Sequence, residues 1–398
     1  GVKTNRSFLL NVLNHPTFKE GKCDTGFIAD NPELMNITVR EDKELKLLTF
    51  LGNKYVNGNR GVKPQFDVPV FPRIKPEETA KLSGTKQILD EKGPEGVVKW
   101  VKEQKKLLIT DTTMRDAQQS LMATRVRTVD MEKIAPATAL YAKDLFSLEM
   151  WGGATFDTAY RFLKESPWER LETLRAKIPN IMFQMLIRGA NAVGYKNYPD
   201  NVIRRFVKES AKSGIDVFRI FDSLNWIQGM EVALDETLNQ GKIAEACICY
   251  TGDILDESRE KYNLAYYVKM AKELEKRGAH ILGIKDMSGL LKPMAAKKLI
   301  EALKNEISIP VHLHTHDTSG NGVATLMMAA NSGVDIVDAA FNSMSGLTSQ
   351  PALNSIVAAM ESTERDTGID PDGIQQISDY WAAVRPVYSE FESDMLTG

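Results

Sequence analysis

Eight short runs of apolar and β-branched residues recur between residues 107 and 341, each followed by a loop and then a segment with helical spacing. They are LLITDT (107–112), LFSLEM (145–150), IMFQMLI (181–187), DVFRIFD (216–222), EACICYT (245–251), HILGIKD (280–286), PVHLHTH (310–316) and VDIVDAAF (334–341). Strands that alternate with helices pair in parallel, and eight such units close a barrel of about 250 residues. An open doubly wound sheet is the rival, but no GxGxxG follows the first run. The pattern therefore predicts an α/β chain with a (β/α)8 TIM barrel over 105–370. One linking helix should be capped by Asp200 and end at Gly214, and another should open at Asp256 and close near Gly278.

Such a barrel gathers its chemistry at the C-terminal ends of its strands. Arg115 and Asp116 lie beyond the first run, Glu149 ends the second, Arg188 follows the third and Asp222 ends the fourth. Lys285 and Asp286 end the sixth, and His314 and His316 end the seventh. Alternate strand residues share a face, so His312, His314 and His316 point the same way, and two imidazoles at a barrel mouth suit a divalent transition metal. His312 lies deeper and is expected to be interior support. Asp116 can reach the same point, or serve as a loop cap or an ion-pair partner. An ammonium beside a cation is repelled, so Lys285 must stand away, lose its proton or be chemically altered. Arg188 can grip a carboxylate with its forked guanidinium, or pair with a loop acid. DTSGNG (317–322) can expose amides to a phosphate or simply turn tightly, and Cys247 and Cys249 are expected to be packing residues.

Fifty Lys and Arg against 53 Asp and Glu leave a formal charge of -3, which gives nucleic acid no electrostatic footprint. Three cysteines without CxxC spacing argue against a disulfide framework and fit a reducing, cytoplasmic setting. No run of about 18 uncharged apolar residues suggests a membrane span. Residues 1–37 read as a small structured piece and 38–104 as a mixed region, in which GNKYVNGNRGVKPQ and VPVFPRIKP form an extended linker. Residues 371–398 read as a helical region broken at Pro386. The chain has the look of a piece of a longer one.

Several motifs closely resemble the carboxyltransferase domain of the pyruvate carboxylase family. They are DTTMRDAQQSLMATRVRT (111–128), EMWGGATFDTAYRFL (149–163), RGANAVGYKNYPDNV (188–202), GIKDMSGLLKP (283–293), HLHTHDTSGNG (312–322) and NSMSGLTSQP (342–351). GVKTNRSFLLNVLNHPTFKEG, followed by TGFIADNPEL, is similar to the end of a biotin carboxylase domain, which makes 1–37 that end, 38–104 a linker and allosteric region, and 371–398 the start of a C-terminal funnel.

The resemblance implies Zn2+ or Mn2+ held by Asp116, His314, His316 and a carbamylated Lys285. It also implies a pyruvate site of Arg115, Gln119 and Arg188 and a biotin-ring site of Asp157 and Tyr195, with Arg115 and Lys285 counted as catalytic. The implied reaction moves CO2 from carboxybiotin to the enolate of pyruvate, giving oxaloacetate. The implied partners are a biotinylated carrier domain, an acyl-CoA activator and further copies of the chain in a tetramer, and the parent enzyme would use ATP, Mg2+ and bicarbonate. Relatives often carry histidine where this chain has Gln118, a change expected to matter little. The family's proton-relaying threonine would lie beyond Gly398, so the piece alone is expected not to complete the reaction. Two other readings stand beside this one: an aldol-type metal-dependent lyase or synthase acting on acyl-CoA, and a non-catalytic assembly or regulatory module.

Overall fold

A computed structural model describes residues 4–36, 43–56 and 69–392, and the chain divides into two compact units, Gly1–Gln65 and Phe66–Gly398. The stretch GNKYVNGNRGVKPQ falls largely outside the described residues. In the first unit, short helices over Arg6–Asn14, Phe27–Asp30 and Pro32–Met35 bury Phe27 and Leu34, and the Asn11 amide donates to Leu34 O at 2.9 Å. A further helix covers Lys43–Val56.

The second unit contains a closed barrel of eight parallel strands in sequential order. They are β1 (Leu108–Asp111), β2 (Ser147–Trp151), β3 (Met182–Ile187), β4 (Val217–Ile220), β5 (Ile243–Cys249), β6 (Ile281–Asp286), β7 (Val311–Thr315) and β8 (Ile336–Ala339). Each falls within or overlaps one of the eight runs, because a strand buried on both faces reads as an unbroken apolar run. The fold is the TIM barrel expected from the pattern.

Helix α1 (Thr85–Glu103) precedes the barrel and lies under it. It bends at Gly93, which adopts φ 68° ahead of Pro94. Its Leu89, Val97 and Val101 pack with Leu108, Phe146, Met182, Val217, Ile243, Ile281 and Ile336, residues at the N-terminal ends of the strands. The barrel is thereby sealed at its lower end by apolar contact, leaving the upper end for polar groups. The approach is close: a side chain on Gly84 would meet Asn180 O at 2.5 Å, and Gln87 Nε2 donates to Pro179 O at 3.0 Å.

Around the strands run α2 (Thr128–Tyr141), α3 (Pro167–Lys177), α4 (Asp200–Ser213), α5 (Glu231–Asn239), α6 (Leu264–Lys276), α7 (Pro293–Glu306), α8 (Gly322–Asn331) and α9 (Leu353–Met360). Two expected caps are corrected. Asp200 is the first residue of α4 and makes no cap bond; it acts through its charge at the positive helix end, while Gly214 takes φ 122° as expected. Asp256 forms a turn, accepting from Ser258 N at 3.1 Å, and Asn263 caps α6 by accepting from Tyr266 N. Beyond the barrel, α10 (Pro371–Val384) is capped by Asp370, and its Tyr380 donates to Asp130 O of α2 at 2.6 Å. A 3-10 turn over Arg385–Phe391 follows, so the helix gives way one residue before Pro386. Among the described residues no helix is long and apolar enough to cross a membrane.

Truncating the plug tests its contribution. Leu89→Ala should cost about 2–4 kcal/mol, read as a lowered urea midpoint; an unchanged midpoint would show that α1 is dispensable to the barrel.

Candidate metal and substrate site

Strand ends and one irregular turn build the upper face. After β1 the chain makes a π-helical turn, Thr113–Ala117, which places Arg115 and Asp116 side by side, both buried. Lys285 of β6 and His314 of β7 are paired in register. Among the described residues, Asp116, His314 and His316 each bring one ligand atom to within 4.8 Å of the others.

The separations are shorter than that bound. His314 Nε2 lies 3.2 Å from His316 Nε2, Asp116 Oδ2 lies 3.4 Å from the first and 3.5 Å from the second, and Lys285 Nζ lies 3.1 Å from His314 Nε2. Tautomers follow from the partners, since a carbonyl or carboxylate oxygen only accepts. His316 Nδ1 donates to Thr348 O at 2.6 Å, and His314 Nδ1 to Asp338 Oδ2 at 2.5 Å. With the rings in their neutral form, each Nε2 lone pair faces the other ring and a carboxylate oxygen. Burial and the neighbouring Lys285 hold His314 well below the ordinary histidine range. Burial opposes ionisation of Asp116, but Arg115, His316, Lys285 and His314 outweigh it and keep its pKa below the usual value. Lys285 Nζ meets one of these facing acceptors and Gln350 Nε2 another, and a cation among the three would engage all of them at once. A tetrahedral ion with ligands at about 2.1 Å sets those ligands about 3.4 Å apart, so the donor set fits a divalent metal in chemistry and in spacing.

Below the ligands lies a layer of buried charge. Arg115 grips Glu149 with Nε and Nη2 at 2.9 and 2.8 Å, while Nη1 meets Asp116 Oδ1 at 2.9 Å and Gln119 Oε1 at 3.4 Å. Of its five N–H groups, one on Nη2 remains for a ligand. His312 sits between Glu245 and Asp338, its nitrogens 2.9 and 2.7 Å from their oxygens, and is raised in pKa because those carboxylates outweigh its burial and Arg219. It is interior support rather than a ligand. Gln350 donates to Asp116 Oδ2 at 3.1 Å and accepts from Thr112 Oγ1 at 2.8 Å.

Adjacent glycines seat the two arginines. A Cβ on Gly152 would lie 3.1 Å from Arg115 Cδ, and one on Gly153 would lie 2.8 Å from Arg188 Cζ. Arg188 donates to Gly194 O at 3.2 Å and lies 5.4 Å from the Tyr195 ring. Tyr195 is 73% exposed, and its hydroxyl donates to Asp157 at 3.4 Å. The expected biotin-site pair is thus in contact, with Arg188 beside it. Asp222 and Asp286 instead organise loops, accepting from Leu224 N and Trp226 N, and from Leu290 N and Leu291 N. In DTSGNG, Gly322 N is taken by Asp317 at 2.7 Å, which favours the tight-turn reading. Cys247 and Cys249 are buried beside Leu186 and Phe221. Gln118 is buried as well, donating to Met114 O and accepting from Val126 N.

Sequence reasoning missed Arg219, Glu245, Asp338 and Gln350. The signal available for the first three was a charged residue in the middle of an apolar strand run, in VFRI, IAEACIC and IVDA. The Thr348 carbonyl carries no side-chain signal at all.

Residues 250–380 match the HMGL-like family model. Pyruvate carboxylase of Bacillus subtilis is 59% identical over 99% of this chain and 35% of its own length, and that of Staphylococcus aureus is 57% identical with the same coverage. Over nearly its whole length the chain is similar to pyruvate carboxylases. The carboxyl transferase domain of Rhizobium etli pyruvate carboxylase, solved with 3-hydroxypyruvate, superposes with a TM-score of 0.82 at 52% identity, covering 88% of this chain and 60% of that one. The chain spans about a third of the length of the curated relatives it matches.

Asp111, at the foot of the π-helical turn, accepts from Thr113 N and Oγ1 through Oδ1, whereas Oδ2 has no partner among the described residues. Burial pushes its pKa from 3.8 up to about 7. Between those values the folded chain holds a proton that the unfolded chain has lost, so stability falls as pH rises across that window and levels off above it. Asp111→Asn should remove this component, so the variant gains on the wild type from pH 4 to pH 7 in urea denaturation; parallel curves would refute the assignment.

Proposed function

We propose that this chain is the carboxyltransferase part of a biotin-dependent pyruvate carboxylase, and that it moves CO2 from carboxybiotin to the enolate of pyruvate. The observation that carries the reading is the convergence of Asp116, His314, His316 and Lys285 at the mouth of the barrel. Support comes from the Rhizobium etli domain, whose structures include complexes with pyruvate and with pyruvate and biocytin.

Asp116, His314, His316 and a carbamylated Lys285 would hold the metal, Zn2+ or Mn2+, which supplies Lewis-acid stabilisation of negative charge on the enolate oxygen. Charge balance couples the lysine modification to the metal. Arg115, Arg219 and His312 are cations linked to four carboxylates, Asp116, Glu149, Glu245 and Asp338. Lys285 as an ammonium makes this buried set neutral, and so does a carbamate accompanied by a divalent ion. A carbamate with no ion does not.

The chain's own groups divide the remaining work. Arg188 pairs with the keto-acid carboxylate, Gln119 and the last N–H of Arg115 orient its carbonyl end, and Asp157 with Tyr195 offers a polar ledge for the biotin ring. Glu149 holds Arg115 in place. The aliphatic and aromatic walls formed by Leu186 and Phe221 limit water near Lys285, which protects carboxyl groups that water would otherwise waste. In the whole enzyme the partners would be a biotinylated carrier domain and an acyl-CoA activator; the complete Rhizobium etli enzyme has been solved with acetyl coenzyme-A as allosteric activator. A homotetramer in the cytoplasm, fed by ATP, Mg2+ and bicarbonate at a biotin carboxylase domain, completes the proposal. An acyl-CoA lyase accounts less well for Lys285, which such a site has no need to place 3.1 Å from a ligand histidine.

Substrate binding tests the reading. Removing a charge-assisted, two-pronged contact costs about 1.5–3 kcal/mol, so Arg188→Met should weaken pyruvate binding by calorimetry about 10- to 150-fold while leaving bound metal unchanged. Equal affinity in both proteins would reject the assigned orientation, and no pyruvate binding by the wild type would reject the substrate.

A further inference from the structure

Arg219 of β4 lies at the centre of the barrel, 1% exposed, and touches neither the three ligand atoms nor the solvent. Its guanidinium is fully engaged. Nε donates to Glu245 Oε1 at 2.6 Å, Nη2 donates to Asp338 Oδ1 at 3.0 Å, and Nη1 donates to Asp338 Oδ2 at closer range. Nη1 also lies 3.8 Å from Glu149, and the Gln184 side-chain amide sits beside the fork, where its oxygen can accept in one of its two orientations. Asp338 is thus held by both oxygens. One of them, Oδ2, is the atom that receives the Nδ1 proton of His314, whose Nε2 belongs to the ligand cluster.

We infer that Arg219 is a positioning residue for the metal centre: by clamping both oxygens of Asp338 it fixes Oδ2 on His314 Nδ1, and so presents the His314 Nε2 lone pair to the ion. This rests on the metal reading proposed above. A carboxylate held at one oxygen can swing about its own bond, and the imidazole it supports can then turn or change tautomer. A carboxylate held by a two-pronged guanidinium cannot, because rotation would break two charge-assisted bonds in a site without water to replace them. Glu245 fixes the guanidinium in turn. Its position is set by Gly283 of β6, where a side chain would collide with Cys247 Sγ and lie 2.9 Å from Glu245 Oε1. The chain of contacts runs from Gly283 through Glu245, Arg219 and Asp338 to His314. The ligand's orientation is therefore decided by residues drawn from four strands.

The test is Co2+ titration of the metal-free chain, followed by chelator competition and the visible d–d absorption bands, for the wild type and Arg219→Lys. Lysine keeps the charge but cannot grip both oxygens. Loss of a group that orients a ligand histidine commonly costs 10- to 100-fold in metal affinity, so Arg219→Lys should lose about tenfold or more and shift the bands. Asp338→Asn should do the same, and the double variant should be no worse than Asp338→Asn alone. If Arg219→Lys is merely less stable, with affinity within about twofold of wild type and unchanged bands, the inference is overturned. A wild type that binds no Co2+ would sink the metal reading instead. Histidine 15N spectra of the metal-free chain read the tautomer without any ion: His314 protonated on Nδ1 in the wild type, with that preference weakened in Arg219→Lys, is the expected result, and protonation on Nε2 in the wild type or an identical spectrum in the variant overturns the inference.

Discussion

A guanidinium cannot sit inside a protein without carboxylates close by, and here Arg219 sits at the axis of a barrel whose interior is more often filled with Val, Ile and Leu. The rest of the upper barrel follows from that one charge. Asp338 and Glu245 neutralise it, His312 bridges the two carboxylates, Asp338 orients His314, and Glu149 carries the network across to Arg115 and Asp116. A buried ion pair is a poor source of stability, and an apolar core would serve the fold as well or better. What the network supplies is fixed orientation for groups that face the mouth. Stability comes from elsewhere, from the apolar plug that α1 forms under the strands and from the helices packed outside them.

This division explains which parts were legible in the sequence. Strand runs such as IMFQMLI and HILGIKD declare themselves because a parallel strand covered on both faces must be apolar throughout, and eight of them in order leave few topologies. The histidines at 314 and 316 were legible through the two-residue period of a strand, and Lys285 through the conflict its charge creates beside them. Asp200 and Asp256 misled because aspartate serves several local geometries equally well, and the choice between cap, first-turn charge and turn depends on backbone that composition does not determine. Helix α1 was hidden within a region read as mixed, since Gly93 and Pro94 interrupt its apolar spacing and its partners are scattered residues at or just before the starts of seven strands. Arg219, Glu245 and Asp338 stand 26 to 119 positions apart, and only closure of the barrel brings them together. The glycines at 152 and 153 belong to the same class, because what they make room for is a pair of arginines from other strands.

Function then follows from the way the two ends of the barrel differ. The lower end is apolar and sealed, and the upper end holds a balanced set of buried charges with one cation, Lys285, that can be exchanged for another arrangement of equal charge. A site of this kind can accept a divalent ion only if the lysine ceases to be an ammonium, and carbamylation meets that condition with the same CO2 chemistry that the proposed reaction uses. The similarity to pyruvate carboxylases and the clustering of Asp116, His314 and His316 beside Lys285 are the two observations on which the proposed metal centre rests.

The central claim is that the three facing acceptors and Lys285 hold one divalent metal. Anomalous X-ray diffraction from crystals of this chain, grown with Zn2+ and bicarbonate and measured on both sides of the zinc absorption edge, addresses it directly. The account predicts one strong peak among Asp116 Oδ2, His314 Nε2 and His316 Nε2, with carboxylate density on Lys285 Nζ. An unmodified Lys285 donating to His314 Nε2, with no anomalous peak at the barrel mouth, would contradict it.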